Sequence, residues 1–154
     1  TMKIILFLSL LIWVIPGFGK VKIQKPRSQH VTAFAIIVDE MTLEKTGGAV
    51  EAYRDALEAD GLSTYIVSGN WKNPDEVKAE IIKLNKRKPV LEGVVFIGDI
   101  PVALIRNAQH MTTAFKMNED EFPFPESSVP SDRFYDDLHL TFDFICQDSV
   151  NTSH

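Results

Sequence analysis

From Thr32 to Ile97 the chain switches regularly between continuous apolar runs and stretches in which apolar residues recur every three or four positions. Thr32 to Val38 contains Ala33-Phe34-Ala35-Ile36-Ile37-Val38 and closes on Asp39-Glu40. A strand without polar alternation is buried on both faces. Ala49, Ala52, Tyr53, Ala56 and Leu57 then follow at i, i+3, i+4, i+7 and i+8, separated by Glu51, Arg54, Asp55 and Glu58. This spacing predicts an amphipathic helix with the alanines, Tyr53 and Leu57 facing inward, ended by Gly61. The Gly47-Gly48 pair reads as the flexible approach to that helix. Ser63 to Val67 predicts a second strand, and Ser68-Gly69-Asn70 a turn.

Asn73-Pro74-Asp75-Glu76 is a helix start: an N-cap side chain, proline at the first helical position and two acids at the positive end of the helix dipole. Val77, Ile81 and Leu84 form its apolar stripe, and Lys83, Lys86, Arg87 and Lys88 suit the negative end before Pro89 stops it. Leu91 to Ile97 predicts a third strand ending at Gly98-Asp99. The three strands start about 30 residues apart with a helix in each gap, the length of a βαβ unit. The expected fold class is α/β with a mainly parallel sheet and right-handed crossovers.

The two ends change the picture. Met2 to Gly19 has a basic start at Lys3, an apolar run from Ile4 to Ile15 and a break at Pro16-Gly17-Phe18-Gly19. It reads as a secretory signal peptide, too short for a stable bilayer anchor, with Gly17 and Gly19 at the positions signal peptidase requires to be small. The alternative is an uncleaved anchor; either reading predicts export to the cell surface or beyond. Thr1 ahead of Met2 plays no part in this reading. The expected organisation is therefore a leader at 2–19, a linker at 20–31, one α/β domain at 32–148 and a tail at 149–154.

The leader carries only Lys3, so 15 basic residues face 21 acidic ones in the body of the chain. That balance disfavours nucleic acid as a partner, and membrane contact is expected only through the leader during export. The single cysteine, Cys146, excludes an internal disulfide. Leu138 to Cys146 alternates apolar and polar residues, which predicts a strand with a packed, inert thiol.

Ligands of parallel sheets collect beyond the carboxyl ends of the strands, where Asp39, Glu40, Ser68, Asn70, Gly98 and Asp99 are expected to meet. Asp39 beside Asp99 resembles a magnesium-dependent phosphoryl-transfer site, but export removes the cytosolic phosphodonor. From Asn118 to Asp148 nine acids stand against Arg133, with Pro123, Pro125 and Pro130 marking a long loop at its start. Asp132, Asp136 and Asp137 could gather oxygen ligands around calcium; the alternative is a solvated acidic loop. No cofactor is required. A dyad of His110 and Cys146 has the residue types for nucleophilic catalysis, yet no glycine turn exposes the thiol.

Gly98-Asp99-Ile100-Pro101 and Val129-Pro130-Ser131-Asp132-Arg133-Phe134-Tyr135-Asp136-Asp137-Leu138 together resemble the gingipain-type secreted cysteine peptidases of bacteria, which are similar to caspases in fold. In that family a parallel strand ends in Gly-Asp, and a later Ser- or Thr-Asp precedes an aromatic pair and further acids. The resemblance spans roughly Thr32 to Phe144 and rests on about ten residues in two short motifs. It implies a three-layer sandwich, present here in part. It also implies a peptide or protein substrate, with Ser131, Asp132 and Tyr135 beside the specificity pocket and Asp132 placed for a basic side chain. Bidentate contact with guanidinium suits a carboxylate to that role, while a turn-capping role for Asp132 after Pro130 is the plainer alternative. The family's His-Gly and later Cys have no match, so no catalytic residue carries over. The expectation is an inactive amino-terminal portion of an exported cysteine endopeptidase, joined to the remainder of a longer chain. The alternative is a non-catalytic secreted binding or scaffold domain.

Overall fold

The computed structural model describes residues 21–106, 121 and 127–147. The leader, His110, most of the 107–126 segment and the 148–154 tail lie outside the described residues. A four-stranded sheet is built from β1 (Lys22–Gln24), β2 (Thr32–Asp39), β3 (Leu62–Gly69) and β4 (Val90–Ile97), in the spatial order β1-β3-β2-β4. β2 pairs parallel with both β3 and β4, and β1 joins β3 antiparallel. The three parallel strands β2, β3 and β4 occupy the positions their apolar runs predict. Ser68 and Gly69, expected in a turn, extend β3 instead.

Helices α1 (Glu40–Ala59) and α2 (Pro74–Asn85) pack against different faces. Ala33, Ala35 and Ile37 of β2 join Tyr65, Val67, Val77, Ile81 and Leu84 in the larger apolar cluster, while Ile36 and Val38 meet Val50 and Ile66 in the smaller. This alternation makes three layers, and it explains why β2 shows no polar residue between Thr32 and Asp39. α2 begins as its sequence predicts, with the Asn73 side chain accepting from the Glu76 N–H at 3.0 Å. It stops at Asn85, so of the basic cluster only Lys83 lies in the last turn.

α1 departs from expectation. It starts directly after β2, runs through Gly47 and Gly48, and is interrupted only at Thr46 (φ −122°, ψ 15°). The cap at Asp39 and the packing of Leu43 outweigh the cost of two helical glycines, about 1 kcal/mol each. The inward stripe is Leu43, Val50, Arg54, Leu57 and Glu58; Ala49, Ala52 and Ala56 face solvent, as does Tyr53. Alanine contributes little area, so the larger side chains set the helix's rotation.

Glu58 and Arg54 are buried because α1 also receives the segment expected as a linker. That segment supplies β1 and then crosses the helix. Glu58 accepts hydrogen bonds from the Arg27 N–H (2.9 Å), the Ser28 N–H (3.0 Å) and the Ser28 hydroxyl (2.9 Å). The Arg27 guanidinium grips Asp55 at 2.7 Å and Glu51 at 2.9 Å, and Arg54 donates to Gln24 at 3.2 Å.

The expected strand from Leu138 to Cys146 is not formed, and Cys146 is exposed. Phe144 and Ile145 point outward with it, because the alternating pattern finds no neighbouring strand among the described residues to pair with. No helix among the described residues is long and apolar enough to cross a membrane.

Burial works to raise the Glu58 pKa, but the donors from Arg27 and Ser28 outweigh it and hold the carboxyl below its ordinary 4.5. The folded value lies below the unfolded one, so this stabilisation is present above the unfolded pKa and is lost as pH falls through the folded value. Urea unfolding between pH 7 and pH 3 should show stability falling at the acid end, and Glu58→Gln should flatten that fall. Glu58→Ala should lower stability at pH 7 by about 1–2 kcal/mol, because it leaves three part-buried donors without their acceptor.

Candidate functional site

Two places gather chemistry-bearing side chains: the carboxyl edge of the parallel strands and a groove along β4.

At the strand edge, Asp39 ends β2 and caps α1. Its Oδ1 accepts from the Thr42 N–H at 2.8 Å and its Oδ2 from the Asp99 N–H at 2.8 Å. Burial works to raise its pKa, but hydrogen bonds from the Thr42 hydroxyl and N–H and from the Asp99 N–H hold it below the ordinary carboxylate value. Gly98 turns the chain here with φ +88°, and a Cβ at this position would lie 1.9 Å from Asp39 Oδ2. Asp39 and Asp99 are therefore neighbours, as the topology predicts, but both oxygens of Asp39 serve the backbone and leave no bare carboxylate pair for a metal. Glu40 is drawn off to Lys22 at 3.1 Å, Ser68 is buried, and Asn70 is exposed. Trp71, which no motif flagged, fills the space between the strand ends. Its indole N–H donates to the Val38 carbonyl at 3.2 Å, and its ring lies where a Cβ on Gly69 would be 3.1 Å away.

The second place is organised by the segment after β4. Strand β5 (Leu104–Ile105) pairs antiparallel with β6 (Val129–Pro130), and the Ser131 N–H donates to the Ala103 carbonyl at 3.0 Å. This brings the Ser131-Asp132 motif back to the sheet. A single helical turn, α3 (Arg133–Asp136), follows. Tyr135 anchors it: the ring is buried, meets Phe96 edge-on at 4.9 Å, and its hydroxyl donates to the Pro101 carbonyl at 2.5 Å. Burial, with the nearby Asp132 and Asp75 charges, pushes the phenol pKa upward, so Tyr135 stays neutral. Tyr135, expected beside the specificity pocket, lines the groove with its ring, and its hydroxyl is engaged by Pro101. It joins the Gly98–Pro101 turn to the Ser131–Asp137 motif. Lys78 of α2 adds a second tie, its ammonium lying 4.5 Å from the Phe134 ring centre and 4.7 Å from that of Phe142.

Around this anchor the acids divide. Asp137 accepts from the His139 and Leu140 N–H groups at 3.1 Å and meets Arg133 at 3.3 Å. Ser131 Oγ accepts from the Arg133 N–H at 3.2 Å, which gives it a turn-forming role. Asp132 occupies the N-cap of α3, yet its carboxylate makes no cap hydrogen bond and is exposed. The backbone carbonyl, rather than the side chain, closes the turn, accepting from Tyr135 and Asp136. Among the described residues no three His, Cys, Asp or Glu side chains converge as a metal site, and the expected calcium ligands Asp136 and Asp137 do not converge with Asp132.

Asp132, Asp136 and Asp137 line a groove of about 980 Å³ whose opposite wall is the outer edge of β4, from Leu91 to Phe96, with Ile81 of α2 beneath. Comparison with protein-family models, curated proteins and solved structures finds no match.

Gly98→Ala should be among the most damaging single-methyl additions in this chain. It requires a left-handed backbone from alanine and displaces Asp39 from both of its donors, so a loss of at least about 2 kcal/mol in urea unfolding is expected. Tyr135→Phe should cost about 1–2 kcal/mol through the orphaned Pro101 carbonyl while the ring contacts persist. A Tyr135→Phe protein as stable as the parent would show that the hydroxyl does not tie the two motifs together.

Proposed function

We propose that this chain is the amino-terminal portion of an exported gingipain-like cysteine endopeptidase, contributing the parallel strands and one wall of a substrate cleft. The observation that carries the reading is the state of Asp132. It is an exposed carboxylate without hydrogen-bond or ion-pair partners among the described residues, and it lies at the groove rim in the same short turn as the buried Tyr135. A carboxylate in this state is available to a guanidinium or ammonium group of a peptide substrate. The catalytic histidine and cysteine belong to a part of the enzyme that this chain does not include, and the Met2–Gly19 leader directs export.

A second reading, a non-catalytic secreted binding domain, is favoured by one observation: the groove follows β4, the edge strand among the described residues, rather than the strand-end crevice, where Trp71 and Asp39 lie.

The deciding experiment is to sequence the source DNA through and past the codon for His154 and to express the complete product. A frame continuing into a His-Gly turn and a later cysteine should yield an enzyme that cleaves peptides at a basic residue. In that enzyme Asp132→Asn should raise KM for basic substrates about tenfold or more with a smaller change in kcat. A stop codon after His154, together with a single cooperative unfolding transition of the purified chain, would remove the peptidase reading.

A further inference from the structure

We propose that Gly47-Gly48 is a hinge, and that the front of α1, residues 40–45, is a lid that swings on it over the carboxyl end of the sheet. The hinge lies outside the β4 groove and does not depend on the peptidase reading.

Two adjacent glycines inside a 20-residue helix call for a reason. Packing does not supply one: a Cβ built on Gly47 or Gly48 meets nothing within 4 Å among the described residues. Backbone conformation does not either, because positive φ among the described glycines occurs only at Gly61 and Gly98. Alanine would fit both places and favour the helix roughly fivefold at each. What glycine supplies here is ease of leaving the helical state. The residue before the pair has already left it. Thr46 has non-helical angles (φ −122°, ψ 15°), and its hydroxyl donates to the Thr42 carbonyl at 2.7 Å, the acceptor that its own N–H would use in a regular helix. Back-bonding of this kind bends helices.

The two sides of the hinge are held unequally. The buried residues of α1, Val50, Arg54 and Glu58, all lie behind it, and Arg54 and Glu58 are tied to the segment before β2 as well. Ahead of it, Met41 is 64% exposed, Glu40 meets Lys22 at the surface, and Leu43 is half-buried against the smaller apolar cluster. The closed position is held by Asp39, whose Oδ1 accepts from the Thr42 N–H. Thr42 in turn covers the turn after β4 so closely that a Cβ on Gly98 would overlap its side chain. A segment with no fully buried side chain, latched at one end and hinged at the other, can open without disturbing the sheet. Opening releases Oδ1 of Asp39 and uncovers the Gly98-Asp99 turn, at the edge where ligands of parallel strands collect.

The test is amide hydrogen exchange, followed by NMR, on the full 154-residue chain with and without Gly47→Ala/Gly48→Ala. The reporting amides are those of Thr42, bonded to Asp39, and of residues 47–49, whose helical acceptors at 43–45 lie across the hinge. In the parent they should exchange at least about tenfold faster than those of residues 54–58, at rates that stay flat in low urea because the opening exposes little surface. The double variant should raise the midpoint of thermal unfolding by about 4–8 °C and slow the reporting amides about tenfold or more. Reporting amides that exchange no faster than those of residues 54–58 would overturn the lid. Fast exchange that the alanines leave unchanged would mean simple fraying of the helix end and would overturn the hinge. A lower thermal midpoint in the double variant would show that another surface packs closely on the glycines, which also overturns it.

Discussion

Everything at the carboxyl end of the sheet depends on one carboxylate. Asp39 ends the central strand, caps the helix that follows and holds the turn after β4, using its two oxygens for two backbone donors at 2.8 Å each. Two pieces of chain distant in sequence, the β2–α1 junction and the turn after β4, are thereby set against one another, and Gly98 is required because only a residue without a side chain can pass so close to Asp39. From that turn the chain reaches Pro101, whose carbonyl accepts from Tyr135, so the placement of the acidic motif at the β4 groove traces back through the same turn. An ionised group confined by N–H donors is a rigid fastener, since the donors aim from backbone already fixed by helix and sheet.

The other end of α1 works by the same chemistry. Glu58 holds Arg27 and Ser28, and Glu51 with Asp55 holds the Arg27 guanidinium, so the segment before β2 lies down on the helix. The sole cysteine is exposed, and covalent cross-links play no part in this arrangement. Instead, buried carboxylates tie loops to helices, and the two apolar clusters on either face of the sheet supply the bulk of the cohesion. A chain organised in this way is most vulnerable to acid, because its fasteners are all groups that lose their charge there.

How far the candidate site was legible follows the range of the interactions. Ser131, Asp132, Tyr135, Asp136 and Asp137 stand out in the sequence as a cluster, and the structure gathers them within one turn and its flanks. Their roles were not legible. Asp137 looks like Asp132 in the sequence, but the first closes a local turn and pairs with Arg133 while the second is left uncommitted. Tyr135 resembles a surface aromatic beside acids, yet its ring belongs to the core and its hydroxyl to Pro101. Trp71 carries no local pattern at all, and its function as a plug exists only once β2 and β3 lie side by side.

The amino-acid sequence by itself determined the three parallel strands, the start of α2 and the end of α1 at Gly61, because each rests on local physics: continuous apolar runs, a capping side chain, a proline, a glycine at φ +94°. It also determined that βαβ connectivity would bring Asp39 and Asp99 together. Only the tertiary structure decided which face of α1 turns inward, that the segment expected as a linker would add a strand, that Leu138 to Cys146 would form no strand, and that β4 would carry a bulge and, among the described residues, stand at the edge of the sheet. Those outcomes depend on which surfaces meet across tens of residues. A hydrophobic period can name a buried face only when the side chains that form it are large enough to decide the contact.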